Sequence, residues 1–287
     1  MNTGKHGSDE ARRIAEAGTI LRCLVGSGVH GISVSDQDDR DEMGICIEPP
    51  EYIIGLRRIN LHEQFGQYEH HTAWERPGGR ANRSGPGDLD VVIYSLRKWM
   101  RLALNGNPTV LLPLFVPESG IVAITGPGRE LRDLAPAIIS RQAGLRFAGY
   151  LEAQRRSLLS RDGKGRDVTR AGLVEQYGFD TKFCGHMVRL GLQGVELLET
   201  GRITLPVPEP HRTWIRELRV GKHTMAEALG MAAEYDRRIG ELLRTSPLPG
   251  YPDRDRTDRW LAGAYLGSRV WEAASYQREH YGEPAAR

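Results

Sequence analysis

The chain has 287 residues and a formal net charge of +2, from 39 basic and 37 acidic side chains. So small a sum excludes a polybasic coat protein and an acidic disordered tail, although it leaves local separation of charge open. Hydrophobic residues make up 39% of the chain and charged residues 26%, a balance typical of globular proteins. The length suffices for one large domain or two smaller ones, each with its own core.

Neither a membrane span nor a secretory signal is evident in the sequence. The chain has no run of about 18 apolar residues, and its first residues lack an apolar segment. Cys23, Cys46 and Cys184 are too few and too scattered for a disulfide framework or a zinc knuckle. We therefore predict buried free thiols in a cytoplasmic protein without membrane contact.

The first third of the chain alternates between helical and strand patterns. Residues 10–21 carry apolar side chains at helical spacing, and the apolar run that follows predicts a strand ending at Gly26. Further apolar runs predict strands at 43–48 and 89–96, the second followed by a helix over 95–106.

A long segment of different composition, residues 62–87, lies between the second and third predicted strands. It contains seven glycines and prolines, no periodicity and three of the nine histidines, His62, His70 and His71. We interpret it as a long mobile loop. A zinc site there would need four ligands close together, and no cysteine is near, so the histidines do not indicate one.

The second half of the chain has a mainly helical pattern. Apolar residues recur at helical spacing in four segments: 130–160, 181–200, 224–244 and near 256–278. A charged, proline-rich linker at 246–256 precedes the last of them. The whole pattern predicts an α+β protein, with a small mixed β-sheet core over 1–125 and a helical substrate-binding domain over 126–287.

The densest group of acids comes between the first two predicted strands. Five carboxylates lie within seven residues: Asp36, Asp38, Asp39, Asp41 and Glu42. Crowded carboxylates repel one another, and a bound divalent cation relieves the repulsion. In an extended segment Asp39 and Asp41 would share a face, an arrangement that suits Mg²⁺ with positions left for phosphates. The alternative for such a cluster is an ordinary solvated surface.

A glycine-rich turn closes the first predicted strand. Gly26 and Ser27 are small, so backbone N–H groups there could approach a polyphosphate, and the serine hydroxyl adds a donor. His30 lies in the same turn and could either donate to a phosphate or cap the turn. Most turns of this kind are only turns, so the pattern gains meaning from the acids that follow.

Two groups of cations lie in the second half. Lys182, His186 and Arg189 are spaced to share one helix face, where they could contact a triphosphate or form a solvated stripe. Residues 141–170 carry eight basic and three acidic side chains, a local charge of +5. That segment could attract a polyanion such as RNA, or be ordinary surface charge, since no aromatic ladder accompanies it.

Taken together, these motifs resemble the DNA polymerase β-like nucleotidyltransferase superfamily. Its signature is a hydrophobic residue with Gly-Ser, about ten residues, and then Asp-x-Asp entering a strand; residues 25–27 and 39–41 fit it. The superfamily has a third carboxylate on a later strand. Asp90 is the candidate here and Asp88 the alternative, because residues two apart face the same side of a strand.

The resemblance extends to the RlaP-like branch, which is associated with RNA repair, over roughly residues 20–245. The segments that carry it are Gly26–Gly31, 94–98, Asn107-Pro108, 149–154, 180–190 and 196–201. The chain departs from the branch at Gly28, where arginine is frequent, at Arg40, where apolar residues are common, and at Leu112, where an acid is expected. These departures bear on substrate choice more than on metal binding.

The resemblance implies a Mg²⁺- or Mn²⁺-dependent transferase that moves a nucleoside monophosphate from an NTP to a hydroxyl acceptor. The implied metal-holding and catalytic residues are Asp39, Asp41 and Asp90. The implied substrate-binding residues are Gly26, Ser27, His30, Lys182, His186 and Arg189. The acceptor stays open between an RNA end, a small molecule and a protein side chain. The alternative is an inactive relative that binds a nucleotide or RNA as a regulator.

Overall fold

The computed structural model describes residues 7–34, 38–59, 64–159 and 171–268, which form an α+β fold. The strands in these ranges are β1 (Thr19–Leu24), β2 (Arg40–Cys46), β3 (Gln67–His71), β4 (Leu89–Ser95) and β5 (Ile121–Ile124). The helices are α1 (Asp9–Gly18), α2 (Gly26–His30), α3 (Leu96–Leu104), α4 (Gly126–Asp133), α5 (Ala135–Ile138), α6 (Arg141–Leu159), α7 (Ala171–Tyr177), α8 (Thr181–Thr200), α9 (His211–Arg219), α10 (Met225–Thr245) and α11 (Arg254–Leu266).

The five strands form one mixed sheet in the order β3-β4-β2-β1-β5. The central pair, β2 and β4, is parallel, and every other pair is antiparallel. The register sets Asp41 of β2 opposite Asp90 of β4, and Asp90 opposite His71 of β3. Three polar residues therefore lie in one row across three adjacent strands.

Helices cover both faces of the sheet at its centre, so β2 is buried on both sides over Glu42–Cys46. On one face α1 buries Ile14 and Ala15 against the sheet. On the other face α3 buries Trp99 and Met100. The α3 helix begins directly after β4, because the side chain of Ser95 accepts a hydrogen bond from the backbone N–H of Lys98 at 3.2 Å.

The helical half is organised around α8, which packs against α6, α9 and α10. Asp180 caps its first turn by accepting from the backbone N–H of Phe183 at 2.8 Å. Leu190 and Leu197 of α8 belong to the same apolar cluster as the sheet, whereas Met187 and Val188 belong to a second cluster among the helices. The α8 helix therefore joins the sheet to the helical half.

Two predicted segments differ from the structure in the first half. The helix predicted over 10–21 ends at Gly18, because β1 already starts at Thr19. The backbone of Gly18 lies close to that of Ile47. The segment 62–87 is not a plain loop: it contains β3 and two short 3₁₀ turns. That strand has no apolar alternation, and only Tyr68 among its residues is buried, which is why the pattern did not reveal it.

The helix predicted over 130–160 is divided among α4, α5 and α6: Pro136 lies at the start of α5, and the backbone is extended at Ile139 before α6. Pro127 and Pro136 each lie in a first helical turn, where a missing N–H is tolerated but a preceding helix cannot continue. The final predicted helix corresponds to α11, and the part of it from 269 onward lies outside the described residues. All three cysteines are buried and have free thiols, as predicted. Nowhere in the described ranges is a helix both long and apolar enough to cross a membrane.

Candidate active site

Asp39, Asp41 and Asp90 converge at one end of the central strand pair. One carboxylate oxygen from each lies within 4.8 Å of those from the other two. The parallel register places Asp41 and Asp90 side by side, and Asp39 directly precedes β2. All three side chains are partly buried. The structure thus brings together the three acids that the sequence motif singled out, and we call them the carboxylate triad.

The triad concentrates negative charge in a partly buried place. Burial, with the charges of Asp39 and Asp90 close by, raises the pKa of Asp41 to about 7. Burial also raises the pKa of Asp39. Burial and neighbouring charge thus make it unfavourable to ionise all three carboxylates together, and a divalent cation beside them would offset that cost. A set of carboxylate oxygens alone is the donor chemistry that Mg²⁺ and Mn²⁺ prefer, so the residues present fit a divalent cation.

Asp88, the alternative third carboxylate, has other partners. Its carboxylate accepts from the backbone N–H of Gly85, from Arg76 (both at 2.9 Å) and from the hydroxyl of Thr72 at 3.0 Å. These bonds, that from Gly85 first, lower the pKa of Asp88. Its role is to hold the segment before β4, and Asp90 is the residue that joins the triad.

Gly26 lies against Asp41 at the first turn of α2. Its φ of +66° is a left-handed value, and an added Cβ would lie 1.9 Å from Oδ2 of Asp41. Only glycine fits both requirements. The backbone N–H of Val25 donates to the carbonyl oxygen of Asp41 at 2.9 Å, which fixes this turn beside β2.

A cavity of about 290 Å³ opens beside the triad. Asp41 reaches its wall, and Arg219 also lines it. The predicted substrate-binding residues all line this cavity: Gly26, Ser27, His30, Lys182, His186 and Arg189. Lys182, His186 and Arg189 are spaced to share one face of α8, and that face lines the cavity.

Arg189 is a buried cation whose partners are neutral. The residue is 8% exposed, and its guanidinium donates to Oε1 of Gln193 at 2.8 Å and to Nδ1 of His186 at 3.2 Å. No carboxylate pairs with it among the residues that the structure describes. Burial lowers its pKa to about 10. A buried charge without a counter-ion is costly, so the cavity favours an anionic occupant.

His30 continues this network. Its Nδ1 lies 3.3 Å from Nε2 of Gln193, and the ring is 1% exposed. Burial, with Arg189 and His186 adding, lowers the pKa of His30 well below its usual range. The ring is therefore neutral at physiological pH, and it contributes no charge to the cavity.

Asp38 connects the triad to the helical half. Its Oδ1 lies 2.9 Å from the guanidinium of Arg219 and 3.0 Å from Nζ of Lys182. Burial alone would raise the pKa of Asp38, but hydrogen bonds from Arg219, the backbone N–H of Val34 and Lys182 hold it at about 2. Arg219 also donates to the carbonyl oxygen of Ile32 at 2.6 Å. Lys182, predicted to bind substrate, thus already has a carboxylate partner.

A comparison with family models identifies the family. The RlaP model, described as an RNA repair pathway DNA polymerase beta family, matches residues 5–248. The chain belongs to this family. Membership supports a DNA polymerase β-like nucleotidyltransferase at the level of the family.

The other two comparisons give no information about function beyond the family match. No curated protein shows significant similarity to the chain. Among solved structures, a nucleotidyltransferase-like protein from Exiguobacterium sibiricum is 11% identical, with 83% of this chain and 72% of that chain covered and a TM-score of 0.28. A likeness at that level carries no argument about function.

Two residues of the RlaP-family site escaped the sequence analysis. Arg219 stands in no motif, and its contact with Asp38 joins residues 181 positions apart in the chain. His71 was assigned to a loop, yet its Nδ1 lies 2.8 Å from Oδ2 of Asp90. The signal for His71 would have been recognition of β3 as a partner of β4.

Other acids and cations that drew attention lie elsewhere. Glu42 is buried and pairs with Arg22 at 2.5 Å and Arg40 at 2.7 Å, so it is not part of the triad. Asp36 and His62 fall outside the described residues, as do residues 160–170 of the basic segment.

Proposed function

We propose that the protein is a Mg²⁺-dependent nucleotidyltransferase that moves a nucleoside monophosphate from an NTP to a hydroxyl acceptor, such as an RNA end. The observation that carries the proposal is the juxtaposition of two charge patterns. Asp39, Asp41 and Asp90 form a carboxylate cluster, and the cavity beside it contains Arg189, a buried cation without a carboxylate partner in the described ranges.

The triad would hold the divalent cations of this reaction. When bound, these cations lower the pKa of the attacking hydroxyl and stabilise the leaving pyrophosphate. The protein supplies the ligands in a fixed place, because β2 and β4 set Asp41 and Asp90 in register. Burial first, and then their mutual repulsion, raise the pKa of Asp41, and a bound cation would offset both effects.

The cavity would hold the triphosphate. Gly26 leaves room next to Asp41, and Ser27 offers a hydroxyl donor. Arg189 and Lys182 supply positive charge from α8. With the triphosphate so placed, the acceptor hydroxyl would lose its proton to solvent and its oxygen would form a bond to the α-phosphorus. The bond from that phosphorus to the bridging oxygen would break, and pyrophosphate would leave.

An RNA end is the acceptor we favour. The family description names an RNA repair pathway. The basic segment 141–170 adds electrostatic support, although two of its arginines, Arg155 and Arg156, pair with Glu152 at 2.7 and 3.3 Å. The attraction of this segment for a polyanion therefore depends on its other cations.

The test is a transfer assay with each labelled NTP, Mg²⁺ and total RNA. We expect the wild type to transfer label, and the double variant Asp39→Ala/Asp41→Ala to transfer none. Asp258→Ala, which removes an exposed acid on α11, is the matched control and should behave as the wild type. Equal transfer by the double variant would contradict the assignment of the triad.

The alternative, an inactive relative that binds a nucleotide, has a distinct outcome. In that case the wild type would bind an NTP in the presence of Mg²⁺ but transfer label to no acceptor.

A further inference from the structure

We propose that His71 is a positioning residue that orients the carboxylate of Asp90 and thereby sets the affinity of the carboxylate triad for a divalent cation. The inference rests on the proposed metal site of the triad. It does not depend on which acceptor or which nucleotide the protein uses.

The sheet register brings the two residues together. His71, the last residue of β3, is the cross-strand partner of Asp90 in the antiparallel pair of β3 and β4. Its Nδ1 lies 2.8 Å from Oδ2 of Asp90, and the side chains are 22% and 16% exposed. The contact sets a ring nitrogen, a group that can donate, against an oxygen of a carboxylate, a group that accepts.

The imidazole ring is itself held in place. It stacks on Trp74, with ring centroids 3.9 Å apart and planes 30° from parallel. Trp74 lies in the 3₁₀ turn Thr72–Glu75, directly after β3, and the guanidinium of Arg80 lies 4.4 Å from the centroid of its ring. The ring of His71 is therefore fixed by an aromatic contact and does not depend on Asp90 for its orientation.

A second polar contact to Asp90, a side-chain hydrogen bond, comes from the segment between β3 and β4. The hydroxyl of Ser84 donates to Oδ1 at 2.5 Å. Oδ1 of Asp90 thus accepts a hydrogen bond from Ser84, Oδ2 lies against Nδ1 of His71, and each oxygen keeps a lone pair for a cation. This is the arrangement by which outer hydrogen-bond partners orient a metal-binding carboxylate.

The consequence is a specific effect on metal affinity. Loss of an outer partner of a metal ligand typically weakens metal binding by about 10- to 100-fold. If His71 were only a packing residue, a phenyl ring of similar shape would preserve both the stack on Trp74 and the affinity for the cation.

The experiment is a Mn²⁺ titration of the full chain without nucleotide, with free Mn²⁺ followed by electron paramagnetic resonance. His71→Phe keeps an aromatic ring but removes the donor, and we expect it to weaken Mn²⁺ binding by at least about 10-fold. His71→Asn places an amide N–H near the position of Nδ1 and should restore most of the affinity. His71→Gln carries its amide one bond further out and should bind as weakly as His71→Phe.

His70→Phe is the matched control, because His70 precedes His71 on β3 and contacts Glu75 at 3.4 Å rather than the triad. It should bind Mn²⁺ as the wild type does. Circular dichroism in EDTA establishes which variants fold, and if His71→Phe does not, the Asn and Gln variants decide.

Two results overturn the inference. Wild-type affinity in His71→Phe and His71→Gln would remove the role of His71 and leave the metal site intact. Absence of Mn²⁺ binding by the wild type, or equal binding by Asp41→Ala, would instead remove the proposed metal site, and the inference with it.

Discussion

Asp38 and Arg219 form an ion pair of 2.9 Å between the segment that leads into β2 and the last residue of α9, with side chains 5% and 3% exposed. Removal of one partner from a buried pair leaves an uncompensated charge, at a cost of about 3 kcal/mol. We expect Asp38→Asn to lower the free energy of unfolding by about that amount in urea titrations.

A surface pair serves as the control for Asp38→Asn. Arg212 and Glu209 lie 2.8 Å apart but are 33% and 48% exposed. Because solvent screens exposed pairs, Glu209→Gln should leave the unfolding curve unchanged within error. Equal effects of the two substitutions would show that the contact of Asp38 is not a structural link.

Gly26 allows a second comparison between two glycines of α2. Gly26→Ala would force a Cβ to within 1.9 Å of Oδ2 of Asp41 in a left-handed backbone conformation. We expect it to displace Asp41 and reduce transfer by about 100-fold or more. Gly28→Ala meets nothing within 4 Å and should keep activity within about two-fold of the wild type. Rates of label transfer at saturating NTP check both.

The raised pKa of Asp41 predicts how stability depends on pH. In the unfolded chain an aspartate titrates near its ordinary value, whereas in the metal-free fold Asp41 titrates at about 7. The folded state therefore binds the proton more tightly, and its contribution to stability is complete at low pH and lost as the pH rises toward 7 and above. Mg²⁺ should counter this loss, since it compensates the ionised carboxylates.

Melting temperatures in EDTA and in MgCl₂ between pH 5 and pH 8 measure this effect. The stabilisation by Mg²⁺ should grow with pH in the wild type and be smaller in Asp41→Asn. A Mg²⁺ effect that is the same at pH 5 and pH 8 would speak against metal binding by the triad.

Substitution of Arg189 should affect nucleotide affinity much more than the free energy of unfolding. Arg189→Met would remove the proposed charge-assisted contact to a phosphate, and the dissociation constant of a non-hydrolysable NTP should rise by at least about 10-fold in calorimetry. The free energy of unfolding should fall by no more than about 1 kcal/mol, because loss of an unpaired buried charge offsets the lost hydrogen bonds. Arg216→Gln, an exposed arginine on α9, is the control for both measurements. Unchanged affinity in Arg189→Met would argue against a phosphate at this end of the cavity.

The residues of the site differ in how far sequence alone could predict them. Asp39 and Asp41 follow from the spacing of a motif, because strand periodicity is local. The choice between Asp88 and Asp90 required the hydrogen bonds of Asp88, which no periodicity encodes. His71 depended on the pairing of β3 with β4, and β3 lacks the apolar alternation by which strands are recognised.

The elements of the fold also differ in how far the local sequence predicts them. The apolar runs predicted β1, β2 and β4, and the helical spacing predicted α8 and α10. The edge strands β3 and β5 are short, and packing against their neighbours rather than composition defines them. Arg219 was the least predictable residue of the site, because its partner Asp38 is 181 positions away and Arg219 belongs to no local motif.

The α8 helix gives the site a property that no single contact would. Lys182, His186 and Arg189 all lie on this one helix, and its apolar side chains pack into both hydrophobic clusters. The cations therefore cannot shift independently, and any opening of the cavity moves them together. Since Asp38 pairs with Lys182 and Arg219, the docking of the helical half also holds the segment that leads from Asp38 through Asp39 into β2.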